Sequence, residues 1–246
     1  MNTLVLLKKK VLNYLYCQLK KYELPFFVVL FIVLICNVTM LYFMHEPWRD
    51  EAQAWLLVRD NNLFGLLSQL KYDGHPSLWY ILNFPIVKLR LPFDTLRIFH
   101  GIIVIACFFI ICFCLKCYPL LRIALALGTL LPSEFSMYSR NYAIGILLML
   151  LLTIWYDRRF TSRKIHCAIC LLLLANTNTY AAVVPIALLC SEVFLALYTM
   201  IIEKQTPYVQ EERLGVGIFY SGAIAALPGI FGSPSNICRR RQDNLW

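Results

Sequence analysis

The chain has 246 residues, of which 60% are hydrophobic and only 15% charged, with a mean hydropathy of +0.65. Soluble domains run at about 45–50% apolar and about 25% charged, so a water-facing globule is excluded, as are a disordered chain and a collagen-like repeat. The formal charge of +9 is spread between apolar runs rather than gathered on one patch, which argues against nucleic acid as a partner and for a lipid bilayer.

Residues 1–24 are basic, with Lys8, Lys9, Lys10, Lys20 and Lys21 set against Glu23 alone, and they precede an apolar run over 25–44. That run exceeds the apolar core of a signal peptide and ends in Leu41-Tyr42-Phe43-Met44, without a small-residue cleavage pattern. It predicts an uncleaved first span with the lysine-rich end on the cytoplasmic side.

Residues 45–95 are the least lipid-like part and predict a first outer loop built of amphipathic juxtamembrane helices. Ala52, Trp55 and Leu56 fall at helical spacing, and Asp50 with Gln53 three residues on reads as an N-cap in a capping box. Asn61-Asn62 interrupts the pattern before Leu63, Leu66, Leu67 and Leu70 resume it. Tyr72-Asp73-Gly74 reads as a turn, and Pro76 suits the opening of a further helix over 77–89.

Apolar runs follow at 96–115, 119–131, 142–156, 165–174, 180–198 and 214–230. With 25–44 they predict an all-α polytopic membrane bundle of about seven transmembrane helices, at about 20 residues per span. The predicted organisation is a basic N-terminus over 1–24, a membrane core over 25–230 and a tail over 231–246. Segments 116–122, 157–164 and 201–213 fall on the side of the N-terminus and are denser in Lys and Arg than the opposite loops. The terminal Arg239-Arg240-Arg241 falls on the outer side and goes against that bias. Cys114-Leu-Lys-Cys117 and Cys167-Ala-Ile-Cys170 have C-x-x-C spacing, but their apolar flanks favour cysteines used as small hydrophobic residues over metal ligation.

Charged groups beside hydrocarbon need a reason. Three polar clusters fall on the outer side of this topology: Asp50-Glu51, the stretch from Asp73 through His75 to Tyr80, and Tyr138-Ser139-Arg140-Asn141-Tyr142. Each has a plain structural reading, as a helix cap, a hydrogen-bonded histidine and an arginine snorkelling to headgroups. Each also has a chemical one. A carboxylate at a helix start is placed to take a proton, and the planar fork of an arginine suits phosphate.

The run Glu46-Pro-Trp-Arg-Asp50-Glu51-Ala-Gln-Ala-Trp55, then Asp73-Gly-His75-Pro76-Ser-Leu-Trp-Tyr80, then Tyr138-Ser-Arg140-Asn-Tyr142, resembles the glycosyltransferase C superfamily. The nearest patterns are the protein O-mannosyltransferase-like and aminoarabinose-transferase-like bacterial membrane enzymes, and the resemblance runs from about residue 25 to about residue 198. It implies inverting transfer of a sugar from a polyprenyl-phosphate carrier to a glycan, lipid or protein acceptor on the outer face of a bacterial inner membrane. On that resemblance Asp50 and Glu51 are the catalytic residues, and Asp73, His75, Arg140, Tyr138 and Tyr142 bind substrate. No cofactor is obligatory, and a divalent cation is left open. Asn176-Thr177-Asn178-Thr179-Tyr180 departs from a Thr-His pair that some relatives carry there, which weakens the case for a metal.

Relatives of this kind are commonly about twice as long, so a compact or truncated form is expected, and an inactive homologue or assembly subunit is the first alternative. A transporter or flippase for a lipid-linked solute is the second, with His100 and Glu192 as the ionisable residues inside its spans.

Overall fold

The structure is a computed structural model that describes residues 2–73, 76–155 and 161–201, with side chains over 21–70, 76–155 and 165–191 and at 193, 194, 197 and 198. The predicted seventh span at 214–230 and the tail lie outside the described residues, as does Gly74-His75. Every regular element among the described residues is helical.

Helix α1 (Asn2–Met44) runs unbroken through Pro25, so the basic segment and the first apolar run share one helix. Three short helices follow in the predicted outer loop: α2 (Arg49–Asp60), α3 (Leu63–Asp73) and α4 (Leu78–Lys88). The break between α2 and α3 is a side-chain device. Asn61 donates from Nδ2 to the Leu57 carbonyl at 2.9 Å, closing α2, and Asn62 Oδ1 accepts the Gly65 N–H at 2.7 Å, opening α3.

Helix α4 ends without glycine. Leu91 N–H reaches back to the Ile86 carbonyl (3.3 Å) and Arg90 N–H to Val87 (3.0 Å), and Arg90 takes a left-handed φ of 56°. An L side chain there carries a steric cost that glycine lacks. Arg90→Gly is therefore expected to stabilise the protein by about 0.5–1 kcal/mol, read as a higher melting temperature in detergent.

Helix α5 (Asp94–Phe109) continues into a π-helical turn over Ile110–Cys114, and α6 (Pro119–Leu127) starts with proline in its first turn. A second π-helical turn, Leu130–Glu134, leads into the short α7 (Phe135–Met137). Helices α8 (Asn141–Trp155), α9 (Thr161–Ala175) and α10 (Thr179–Ile201) complete the described chain. Packing runs α1 on α5, α5 on α8, α8 on α9 and α9 on α10, while α2 lies on α4. Gly145 on α8 allows the turn between α9 and α10 to approach closely, since a Cβ there would sit 3.0 Å from Asn178 Nδ2.

Among the described residues two helices are long and apolar enough to cross a membrane, Lys21–Met44 and Asp94–Cys114. Pro119–Leu127 and Leu130–Met137, bent by 45°, make a third if they count as one span. The predicted spans at 142–156, 165–174 and 180–198 correspond to the shorter apolar helices Asn141–Trp155, Ile165–Ala175 and Thr179–Ser191. Fifteen residues at 1.5 Å each reach about 22 Å, less than the roughly 30 Å of a hydrocarbon core. Broad exposed apolar faces, including Val29, Val33, Ile98 and Ile102 on the two long helices, are those of a membrane protein.

Candidate functional site

The site forms where the end of α1, the start of α2, the loop after α7 and the start of α10 meet. Its foundation is Arg97 on α5. This guanidinium donates to the carbonyls of Tyr42 and His45 (the latter at 2.8 Å), packs 4.5 Å over the Tyr42 ring and lies 3.3 Å from Asp94. It thereby satisfies carbonyls that the end of α1 leaves open and sets the position of His45.

Helix α2 begins two residues earlier than the Asp50 cap predicts. Trp48 occupies the cap with extended backbone, and Glu51 is the residue whose side chain reaches back, accepting the Trp48 N–H at 2.7 Å. Asp50 thus stands in the first turn, not at the cap, because the reach of a glutamate at the third helical position suits the return bond. Both acids still lie at the positive end of the helix dipole.

Glu51 is fully buried, at 0% exposure. Its Oε2 lies 3.0 Å from His45 Nε2 and also takes the Trp48 N–H, while its Oε1 accepts the Ser139 N–H from 88 residues away. One carboxylate therefore ties α1, α2 and the loop ahead of α8 together. Asp50, its neighbour, faces outward with a side chain 44% exposed and pairs with Arg140 Nη1 at 2.8 Å.

The segment carrying Arg140 is rigidly held. Ser139 and Asn141 are buried, Tyr138 N–H bonds the Glu134 carbonyl at 3.1 Å, and Asn141 Nδ2 donates to the Thr177 carbonyl at 2.7 Å. Tyr138 packs against Trp48 (centroids 4.8 Å) and edge-on to His45 (5.6 Å), and Phe135 stacks on Tyr142 at 5.2 Å. Trp48, Phe135, Tyr138, Tyr142 and Arg140 line a cavity of about 470 Å³, with Glu134 and Tyr180 on its walls. The Asn178 side chain, also on its wall, accepts the Ala181 N–H at 2.8 Å and so caps α10.

Of the residues singled out in the sequence, Asp50, Glu51, Tyr138, Arg140 and Tyr142 come together. Tyr138, Arg140 and Tyr142 line the cavity, Asp50 meets it through Arg140, and Glu51 is sealed behind. Asp73 ends α3, but its side chain lies outside the described residues, as does all of His75 and the side chain of Glu192. His100 is buried within α5, edge-on to Trp79 at 6.2 Å. Sequence reasoning missed Trp48, Phe135 and Tyr180 as cavity walls, since an aromatic residue at a span end has no periodicity that separates a cavity wall from a membrane anchor, and it missed His45 as the partner of Glu51.

Among the described residues no three His, Cys, Asp or Glu side chains converge as metal ligands. Chemically, the arrangement offers two accessible carboxylates, Asp50 at its edge and Glu134 on its wall, and one guanidinium beside a cavity with aromatic walls. A sugar ring lies well on aromatic faces, and phosphate suits an arginine fork. Compared with protein-family models, with curated proteins and with solved structures, the chain matches none.

Proposed function

We propose that the protein is a membrane glycosyltransferase that moves a sugar from a polyprenyl-phosphate carrier to an acceptor hydroxyl or phosphate at the outer face of a bacterial inner membrane. The observation that carries this reading is the 2.8 Å contact between Asp50 and Arg140, 90 residues apart, at the edge of the aromatic cavity. The bundle in this reading has about seven spans, with the N-terminus cytoplasmic, and the fifteen-residue helices α8 and α9 cross by virtue of polar ends and local bilayer thinning.

In the reaction Asp50 takes the proton of the acceptor O–H. The acceptor oxygen forms its bond to the anomeric carbon from the face opposite the carrier, inverting it. The bond from that carbon to the carrier oxygen breaks, and its electron pair leaves with polyprenyl phosphate. Arg140 exchanges its ion pair with Asp50 for the departing phosphate, which places positive charge where negative charge develops. That exchange also frees the carboxylate at the moment it is needed. Glu51 positions rather than reacts, since it faces neither cavity nor solvent and fixes both the start of α2 and the Ser139 backbone. Tyr138 and Tyr142 hold the sugar, and Asp73 with His75 completes the binding of the carrier head.

The test is an assay of membranes containing the full chain, supplied with labelled polyprenyl-phosphate sugars and extracts of the cell envelope. A labelled product that depends on Asp50 is the expected result. No product across hexose, pentose and amino-sugar donors, from protein shown to be inserted and folded, overturns the enzyme reading in favour of an inactive homologue or assembly subunit.

A further inference from the structure

A second cavity, of about 990 Å³, opens at the other end of the membrane-crossing part of α1, between its residues 22–27 and the start of α6. The stretch from Pro25 to Met44 is about 28 Å long at 1.5 Å per residue, so the two cavities are separated by roughly one hydrocarbon thickness.

The floor of this cavity is a closed electrostatic unit. Arg122 donates to Glu23 at 2.6 Å, to the Ile111 carbonyl at 3.1 Å and to the Cys112 carbonyl, and its guanidinium lies 3.7 Å over the Phe27 ring. The two carbonyls belong to the π-helical turn, so Arg122 serves as the cap of that turn and as the partner of Glu23. Neither charge is left over for a ligand.

Lys116 is different. It stands on the cavity wall, exposed, and among the described residues its ammonium has no hydrogen-bond acceptor and no ion-pair partner. Lys21, also exposed, has among the described residues only the Tyr22 ring, at 5.9 Å. The remaining walls are aromatic and aliphatic, and they are open outward, with Tyr118 84% and Leu120 78% exposed. Tyr22 and Tyr118 at the rim are the residue type that sits at headgroup depth.

An uncompensated cation above an open apolar trough is complementary to an amphiphile with an anionic head. From this we infer that the cavity is a binding site for one anionic phospholipid of the bilayer, with its phosphate on Lys116 and one acyl chain along Phe26, Leu120 and Ile123. The site owes nothing to glycosyl transfer and stands or falls separately from it.

The experiment places the full chain in nanodiscs of phosphatidylcholine with a minor share of phosphatidylglycerol and counts retained lipid by native mass spectrometry. One phosphatidylglycerol is expected to be retained in preference to phosphatidylcholine. Lys116→Gln is expected to lower that preference about fivefold, as befits one lysine near an anionic headgroup. Leu120→Trp, which fills the trough without touching charge, is expected to displace the lipid, and Lys88→Gln, on a residue bonded to the Arg59 carbonyl, is expected to change nothing. Inorganic phosphate is not expected to compete. Equal retention of the two lipids, a preference untouched by Lys116→Gln, or displacement by inorganic phosphate would each overturn the inference.

Discussion

Replacing Glu51 by alanine is expected to cost about 3–5 kcal/mol of stability, the range for removing one partner from a buried charged network. The substitution leaves the N–H groups of Trp48 and Ser139, and the ring nitrogen of His45, without their common acceptor, the buried Glu51 carboxylate. Glu51→Gln is expected to fall between alanine and the native protein, at about 1–3 kcal/mol. Its amide has one oxygen where the carboxylate has two, and whichever way it turns, an NH₂ group faces either Trp48 N–H or Ser139 N–H. Thermal unfolding in detergent measures both, and a drop of about 10 °C for Glu51→Ala is the anticipated scale for a chain of this size. A melting temperature unchanged by Glu51→Ala would show that this carboxylate does not hold the three segments together.

Asp50→Asn is expected to behave in the opposite way, silent in stability and severe in activity. Asp50 is 44% exposed, and an ion pair so open to solvent is worth about 0–1 kcal/mol. The asparagine oxygen still accepts from Arg140, so insertion and melting temperature should hold. Sugar transfer should fall about 100- to 10,000-fold, the usual contribution of a positioned general base. The contrast between adjacent residues is the informative part. If Asp50→Asn transferred sugar at the native rate, Asp50 would not be the base, and the membrane assay would have to be repeated on Glu134, the other carboxylate at the cavity wall.

How far the site was legible in the sequence depends on the kind of contact involved. Asp50, Glu51 and Arg140 stood out because ionisable groups beside hydrocarbon are costly, and that cost is visible residue by residue. Their roles were not. The capping-box spacing of Asp50 and Gln53 offered Asp50 as the cap of α2, whereas the cap is Trp48 and the returning side chain is Glu51. Two adjacent acids at a helix start look alike in one dimension, but successive residues on a helix point about 100° apart, so one is sealed and the other open.

Arg122 shows the same limit from the other side. In sequence it is one of two basic residues in a short connection, a topology signal. In the fold it is a buried hub for Glu23 and the carbonyls of a π-helical turn. No spacing rule could pair it with a residue 99 positions away.

Composition and apolar run length by themselves determined that this chain is helical and built for lipid, because both follow from a sum over residues, and such sums survive any arrangement in space. They also set the positions of the two long helices, Lys21–Met44 and Asp94–Cys114, to within four residues at either end. The tertiary structure alone decided which polar groups meet: Ser139 on Glu51, Arg140 on Asp50, Arg122 on Glu23. Hydrogen bonds and ion pairs act over about 3 Å, and only the packing of helices distant in sequence brings such groups within that range.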